Sequence, residues 1–395
     1  MTAGSWYIFL ALGAFIGTVF TIPWLVYVSA AVAIVVTVAE LWRRKALDQI
    51  AYQRRWIYKR GFPGEKTQVR IQVENKKWLP VSWLKVSDPW PLDAPPTDQE
   101  ALAPSHIPTR GLLVNIYNLR WFQRIIRTYE IEFKNRGVYR VGPPKLESGD
   151  LFGLFEDQRE IDTQDLITVF PELLPMSAIP FPSQDPFGDA RTRRRLFEDP
   201  NLTIGVRPYH PEDDIRRIHW PATARSGDLQ VRMYQPVSAR VLVVCLNVST
   251  AEYIWLGTSG QLLEQLVRLG ATICYQAIEE GYAVGLISNG CLAHSDQPFH
   301  IRPGRTHEHL ALILQALAGV TPFTSISFDQ YLLNVMPQVP MGASLVVVTA
   351  LVTQALTENL MALKRYRGNI TLISLAENPP PDLPGIQSVH LPFRE

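Results

Sequence analysis

The chain has 395 residues, and its 38 Lys and Arg nearly balance 37 Asp and Glu, for a formal net charge of +1 at pH 7. Overall charge therefore gives no electrostatic basis for binding nucleic acid, and the length suits two or three ordinary domains. The three cysteines, Cys245, Cys274 and Cys291, form no CxxC pair; this argues against a disulfide framework and a structural zinc site and fits a reducing compartment.

From Met1 to Ala39 no side chain is charged. A single helix over that length would reach about 55 Å at 1.5 Å per residue, whereas the hydrocarbon core of a bilayer is about 30 Å thick. The pattern predicts two membrane spans over residues 1–42, with a tight turn near Pro23. Trp6, Tyr7, Trp24, Tyr27 and Trp42 suit interfacial positions. A cleaved signal peptide fits poorly, because there is no basic leading region and the apolar stretch is too long. Arg43, Arg44 and Lys45 follow the second span, with Arg54, Arg55, Lys59 and Arg60 close behind. The positive-inside rule places this side in the cytoplasm. The expectation is a multi-pass protein of the cell membrane whose soluble domains face the cytoplasm.

Residues 43–175 read as β. In TQVRIQVEN, Val69, Ile71 and Val73 alternate with Arg70, Gln72 and Glu74, as in a half-buried strand. TYEIEFKNRGVYRVGP repeats the pattern with Tyr129, Ile131 and Phe133, turns at Asn135–Gly137 and starts a further strand. Prolines and turn clusters recur without a long helical period, which predicts a small antiparallel sandwich. The tryptophans of WLPVSWLKVSDPWPLD are expected in core and strand-edge packing. Residues 176–206 form a proline-broken connector. Its basic run, Arg191 and Arg193 to Arg195, could meet phosphate or lipid headgroups; the expected role is a solvated loop pairing with nearby carboxylates.

The texture changes again after residue 239. ARVLVVCLNVS is a continuous apolar run, as in a parallel strand covered on both faces. A helical pattern follows, with Leu262, Leu263, Leu266, Val267, Ile273 and Ala277 in phase and Gly281 at its end. Strands at YAVGLISNG, ASLVVVTAL and NITLISLAE alternate with further helical patterns, which predicts a doubly wound α/β domain. Ligands of such sheets sit at the C-terminal ends of the strands. The loops concerned are NVSTAEYIW and TALVTQ; neither carries a GxGxxG or P-loop sequence.

Between the β region and this domain lies RPYHPEDDIRRIHWPATAR, residues 207–225, with two histidines, three carboxylates and four arginines. A catalytic reading makes His210, Asp213, Asp214 and His219 a metal cluster or acid/base pair. Yet no HxxxH or HExxH spacing occurs, and on one helix the two histidines would stand roughly 900° apart, near opposite faces. In the structural reading, Pro211 opens a helix, Glu212, Asp213 and Asp214 favour its N-terminus, and Glu212–Arg216 and Asp213–Arg217 are i,i+4 pairs. Ile215, Ile218 and Ala222 then share one side. Pro221 begins a short second turn that ends at Gly227. Arg207 and Arg225 flank the unit and can bind Asp213 or Asp214 bidentately. The structural or interface reading is the expected one.

These features together resemble a known family. A membrane hairpin precedes a β domain carrying NRGVYRVGP and DLFGLF, and then a signature formed by Arg207, Tyr209, Asp213, Arg216, Ile218, His219, Trp220, Ala224 and Arg225, followed by an α/β domain. The chain resembles, over nearly its whole length, the bacterial "domain of unknown function fifty-eight" (DUF) family. Glu212 stands where glycine is usual, and Pro221 where lysine is frequent. The resemblance implies a von Willebrand factor A-like domain spanning the signature segment and α/β region, 207–395. It also implies partnership with a MoxR-type AAA+ ATPase in assembly or maturation of other proteins, with no established enzymatic activity. Such α/β domains often hold a divalent cation through D-x-S-x-S after the first strand. The matching positions here are Asn247, Ser249 and Ala251, and a later loop offers Thr349 where an aspartate is usual; Asp296 and Asp329 are too remote in sequence to be placed in the site. Asn247 lacks the charge and Ala251 cannot coordinate, so the metal site is expected to be degenerate and no cofactor is expected. Ser249 and Asn247 are expected to cap their loop. The leading expectation is a non-enzymatic, membrane-tethered adaptor. The alternatives are a hydrolase or metal enzyme using the cluster at 210–219, and a metal-dependent adhesion-type binder.

Overall fold

The computed structural model describes residues 3–98, 101–175, 198–211, 213–236, 241–251, 258–293, 295, 297–340, 342–365 and 369–392. The basic run at 191–195 and most of the connector fall outside them. The chain divides into two units, Met1–Phe170 and Pro171–Glu395.

The first unit opens with α1 (Ala3–Val19) and α2 (Pro23–Ala46), packed against each other. Pro23 starts α2, where a missing N–H costs nothing. The helices approach closely at Gly17, where a Cβ would come within 2.8 Å of Val26. Tyr7 and Thr37 join their flanks by a hydroxyl–hydroxyl bond of 3.1 Å. The 24 residues of α2 make it long and apolar enough to cross a bilayer, and its last turn carries Arg43, Arg44 and Lys45, which suit a helix C-terminus. α1 is shorter, at 17 residues.

Eleven strands follow: β1 (Ile50–Trp56), β2 (Arg60–Gly61), β3 (Lys66–Asn75), β4 (Val81–Pro91), β5 (Leu102–Pro104), β6 (Arg110–Leu119), β7 (Arg124–Glu132), β8 (Gly137–Val141), β9 (Lys145–Gly149), β10 (Glu156–Glu160) and β11 (Asp165–Val169). They form three sheets, ordered β1-β3-β7, β10-β9-β4-β6-β5 and β2-β11-β8. Pairing is antiparallel except for β2 with β11. Val69, Ile71 and Val73 of β3 point into one core with Val86, Leu113, Leu146 and Ile167, as period-two alternation requires. The tryptophans divide. Trp90 is buried, stacks on Trp56 and donates Nε1–H to Ala94 O at 2.6 Å, whereas Trp78 is 78% exposed against Phe122. Periodicity could not place Trp78, because it stands outside a strand.

One buried charged group anchors this core. Arg54 Nη1 donates to both carboxylate oxygens of Asp88 at 2.8 and 2.9 Å, and Tyr52 Oη donates to Asp88 at 2.7 Å. Arg54 Nη2 donates to Thr163 O, and Nε lies 2.9 Å from Asp165 Oδ2 without the angle of a hydrogen bond.

In the second unit, β12 (Glu198–Pro208) and β13 (Gln230–Pro236) make an antiparallel ribbon, with α3 (Trp220–Ser226) in the excursion between them. There follow β14 (Val241–Leu246), α4 (Gly260–Glu279), β15 (Ala283–Leu292), β16 (Pro298–Gly304), α5 (His307–Ala318), β17 (Val320–Thr324), α6 (Phe328–Val335), β18 (Ser344–Thr349), α7 (Gln354–Lys364), β19 (Ile370–Ser374) and β20 (Gln387–His390). The seven-stranded sheet runs β16-β15-β14-β18-β19-β20, with β17 also paired to β15. β14, β15, β18, β19 and β20 are parallel; β16 and β17 run against β15.

Both faces of the sheet are covered, which is why its strands read as continuous apolar runs. Val243, Cys245, Val347 and Leu372 meet Phe328, Leu332, Leu356 and Leu360 of α6 and α7. α4 packs on the opposite face, with Gly270 set over Leu246, and α5 packs on α4. Ser259, Thr306 and Thr353 cap α4, α5 and α7 through their hydroxyls. Gly281, at φ +83°, follows α4 in the left-handed conformation its exit requires.

Candidate functional site

The signature segment does not form one helix. The ribbon register Arg207↔Val231 and Pro208↔Gln230 is prolonged by Tyr209 N–H donating to Leu229 O at 2.9 Å. The chain then turns, makes a 3₁₀ turn at Ile215–Arg217, rejoins the ribbon through an Ile218–Val231 bridge, and enters α3. Proline at 211 opens a turn rather than a helix, because the ribbon ties the segment down at both Tyr209 and Ile218. This corrects the expected helix from Pro211, and with it the helical geometry assumed for the histidines and the i,i+4 pairs; Glu212 lies outside the described residues. It also separates Ile215, which is 68% exposed, from Ile218, which is buried.

The polar groups of the turn hold its shape. Arg207 binds Asp213 bidentately at 2.6 and 2.5 Å, and the second Asp213 role is to accept from His210 N–H at 2.9 Å. These donors hold the Asp213 carboxyl down at about 2, with Arg207 the larger cause. Asp214 Oδ1 accepts from Arg216 N–H at 3.0 Å and caps the 3₁₀ turn. His219 donates its backbone N–H to Gln230 O at 2.8 Å, and its Nδ1 accepts from Ala222 N–H at 3.0 Å. The ring is thus an N-cap for α3, in the tautomer that carries its proton on Nε2. Thr223 Oγ1 accepts from Gln230 N–H, and Gly227, at φ +80°, closes α3 as the spacing predicts.

Of the expected site residues, Arg207, Tyr209, Asp213, Asp214 and His219 are therefore joined in one small structural assembly. Arg216, Arg217, Trp220 and Arg225 are each exposed, Trp220 at 65%. Arg225 sits in the last turn of α3, and its side chain has no bonded carboxylate among the described residues.

The second feature is a cleft of about 270 Å³ at the C-terminal ends of β14 and β18. Here the crossovers leave in opposite directions, α4 towards β15 and α7 towards β19, so the cleft stands at the topological switch point. Asn247, Ser249 and Ala251 line it, with Ser325, Ser327 and Asp329 from the start of α6 and Thr353 before α7. Asn247 is buried; its Nδ2 donates to Thr349 Oγ1 at 3.0 Å and its Oδ1 accepts from Ser249 N–H at 3.1 Å. Thr349 Oγ1 donates to Leu351 O, and Ser249 Oγ accepts from Asn289 Nδ2 at 3.2 Å. These groups are occupied in holding the loop. Sequence leaves Asp329 too remote to place; α6, packed against β15 and α7, brings it to the cleft, whereas Asp296 lies outside the described residues. No group of three or more His, Cys, Asp or Glu able to hold a metal occurs among the described residues. All three cysteines are buried, and burial pushes the Cys245 thiol up to about 12.

Residues 205–392 match the family described as "Protein of unknown function DUF58". The chain is 21% identical over 329 residues to the uncharacterized protein YeaD of Bacillus subtilis (strain 168), covering 82% of this chain and 75% of that protein. It is 33% identical over 130 residues to the uncharacterized protein Rv1480 of Mycobacterium tuberculosis (strain ATCC 25618 / H37Rv), covering 31% of this chain and 39% of that protein. Among solved structures, it is similar to the CARDB domain of the PF1109 protein from Pyrococcus furiosus at 11% identity and a TM-score of 0.20, covering 30% of this chain and 91% of that one. Spo0M from Bacillus subtilis gives 12% identity and a TM-score of 0.20, covering 31% of this chain and 50% of that one. At these scores the likeness carries no argument about fold.

Proposed function

We propose that the protein is a membrane-tethered interaction protein without enzymatic activity, acting as partner of a MoxR-type AAA+ ATPase in assembly or maturation of other proteins. The observation that carries this reading is the division of labour in the signature segment. Of its acid/base groups, Asp213, Asp214 and His219 are taken up by Arg207 and by backbone N–H groups, while His210 is exposed. Ile215, Arg216, Arg217, Trp220 and Arg225 of the same segment are each exposed. An exposed tryptophan among arginines has the composition of a protein-binding hot spot. In this reading α1 and α2 span the bilayer as a hairpin, the cations in the last turn of α2 keep both units in the cytoplasm, and the second unit is a von Willebrand factor A-like domain. Its largely parallel sheet, covered on both faces, supports that assignment, and Asn247, Ser249 and Ala251 then mark a metal site that has lost its ligands.

The test is cross-linking and affinity capture of the full chain from its native membrane, with bound proteins identified by mass spectrometry. An AAA+ ATPase should be recovered with the wild type and reduced with Trp220→Ala and Arg225→Glu, both exposed positions. Recovery of no AAA+ ATPase, or equal recovery by all three, overturns the reading.

A further inference from the structure

The turn Asp150–Phe155, sequence DLFGLF, joins β9 to β10 and lies against the helices. Phe155 is buried in a cluster with Val36 and Ala39 of α2, and Trp6, Leu10 and Val32 pack around them. Two residues further on, Asp157 stands 3.8 Å from Arg43. The first charge of α2 is Glu40, and Val36 lies about 6 Å from it on the apolar side, at 1.5 Å per residue. Phe155 therefore reaches the depth at which α2 has become wholly apolar. Its apolar neighbours in the turn stay exposed: Leu151, Phe152 and Leu154 are 54%, 60% and 38% exposed.

The backbone of the turn is prepared for a medium poor in water. The Asp150 side chain is itself buried and accepts from the N–H groups of Phe152 at 2.8 Å, Leu154 at 3.0 Å and Phe155 at 3.1 Å. Asp150 N–H donates to Phe155 O at 3.2 Å. Irregular backbone near lipid is tolerated only when its polar groups find partners in the protein. Gly153, at φ +70° with nothing close to its missing Cβ, lets the chain reverse while keeping the leucines and phenylalanine outward.

We propose that Leu151, Phe152 and Leu154 form a wedge seated in the boundary between headgroups and acyl chains of the bilayer that holds α2. The occupant of this apolar surface is lipid, because the turn is continuous with the helices through Phe155 and lies level with α2 residues that are themselves exposed and apolar, Val35 and Val38. The wedge rests on the reading of α2 as a membrane span. It gives the β strands of this unit a second attachment to the membrane, fixing their tilt where α2 alone would leave them free to swing.

The experiment uses the full chain in vesicles of phosphatidylcholine and phosphatidylglycerol. Single bimane labels are placed by Phe152→Cys, by Leu154→Cys as a second position, and by Val28→Cys in α2 as the reference. The native cysteines are buried, so unsubstituted protein gives the background. A nitroxide carried on lipid near the headgroup should quench labels at 152 and 154 to within about twofold of the label at 28, as for groups at the acyl boundary, while aqueous iodide quenches them weakly. Quenching at 28 with none at 152 or 154 overturns the wedge and leaves the membrane span intact. Quenching at none of the three overturns both.

Discussion

Replacing Asp88 by alanine tests the charged group in the core of the first unit. The Arg54 side chain is fully buried and Asp88 is 1% exposed. Asp88→Ala leaves Arg54 Nη1 and the Tyr52 hydroxyl without their acceptor, although Thr163 O and Asp165 still hold the far side of the guanidinium. Breaking a buried pair by removing one partner costs about 3–5 kcal/mol. The surviving contacts place this case near the lower end, about 3 kcal/mol, or roughly 9 °C in melting temperature for a unit of this size. The Arg54→Met/Asp88→Leu double variant removes the uncompensated charge and should recover most of that loss. Trp56 and Trp90 stack in the same core with ring centroids 5.4 Å apart, so tryptophan fluorescence during urea and thermal unfolding of the detergent-solubilised full chain follows the right region. A loss below about 1 kcal/mol in the single variant, or a double variant no more stable than the single, would refute the reasoning.

Calorimetric titration of the wild type with Mg²⁺ or Mn²⁺ should give no saturable heat, because Asn247 and Ser249 are committed to Thr349, Asn289 and their own loop; tight binding of either ion would show that these bonds yield to a metal. His219→Ala should cost about 1 kcal/mol by removing the cap of α3, and His219→Asn, which can accept the same N–H, should restore most of it; equal loss in both would point away from capping. Asp213 has its carboxyl held near 2, so its contribution is complete above about pH 4, the unfolded value, and is lost progressively as pH falls from there through about 2. Protection of the His210 amide, taken relative to its intrinsic exchange rate at each pH, should therefore be full above about pH 4 in the wild type, weaken as pH falls towards about 2, and be absent in Asp213→Ala; protection in the variant would show that Arg207–Asp213 does not hold the turn.

Much of the fold was legible because burial imposes a period. The uncharged residues up to Ala39, the alternation of Val69, Ile71 and Val73, and the unbroken run Val241–Leu246 follow from what each segment must bury, so their elements appear at β3, β14 and α2 as the pattern demands. Pro23 and Gly281 were equally local, since a missing N–H and a left-handed φ belong to single residues. The signature segment was not. Its charges admit both a helix with i,i+4 pairs and a turn closed by Arg207, and only the antiparallel register of β12 on β13 selects the second by bringing Arg207 over Asp213 and Gln230 against His219. The cleft likewise required the sheet order, because Asn247, Asp329 and Thr353 meet only when β14 and β18 lie side by side. DLFGLF shows the same limit. Its sequence sets an apolar turn, but only packing of Phe155 on Val36 and Ala39 places that turn level with the apolar part of α2. Sequence determined which segments are buried or apolar, since hydration is a property of each side chain; tertiary structure decided which polar groups find each other, since that depends on register between strands remote along the chain.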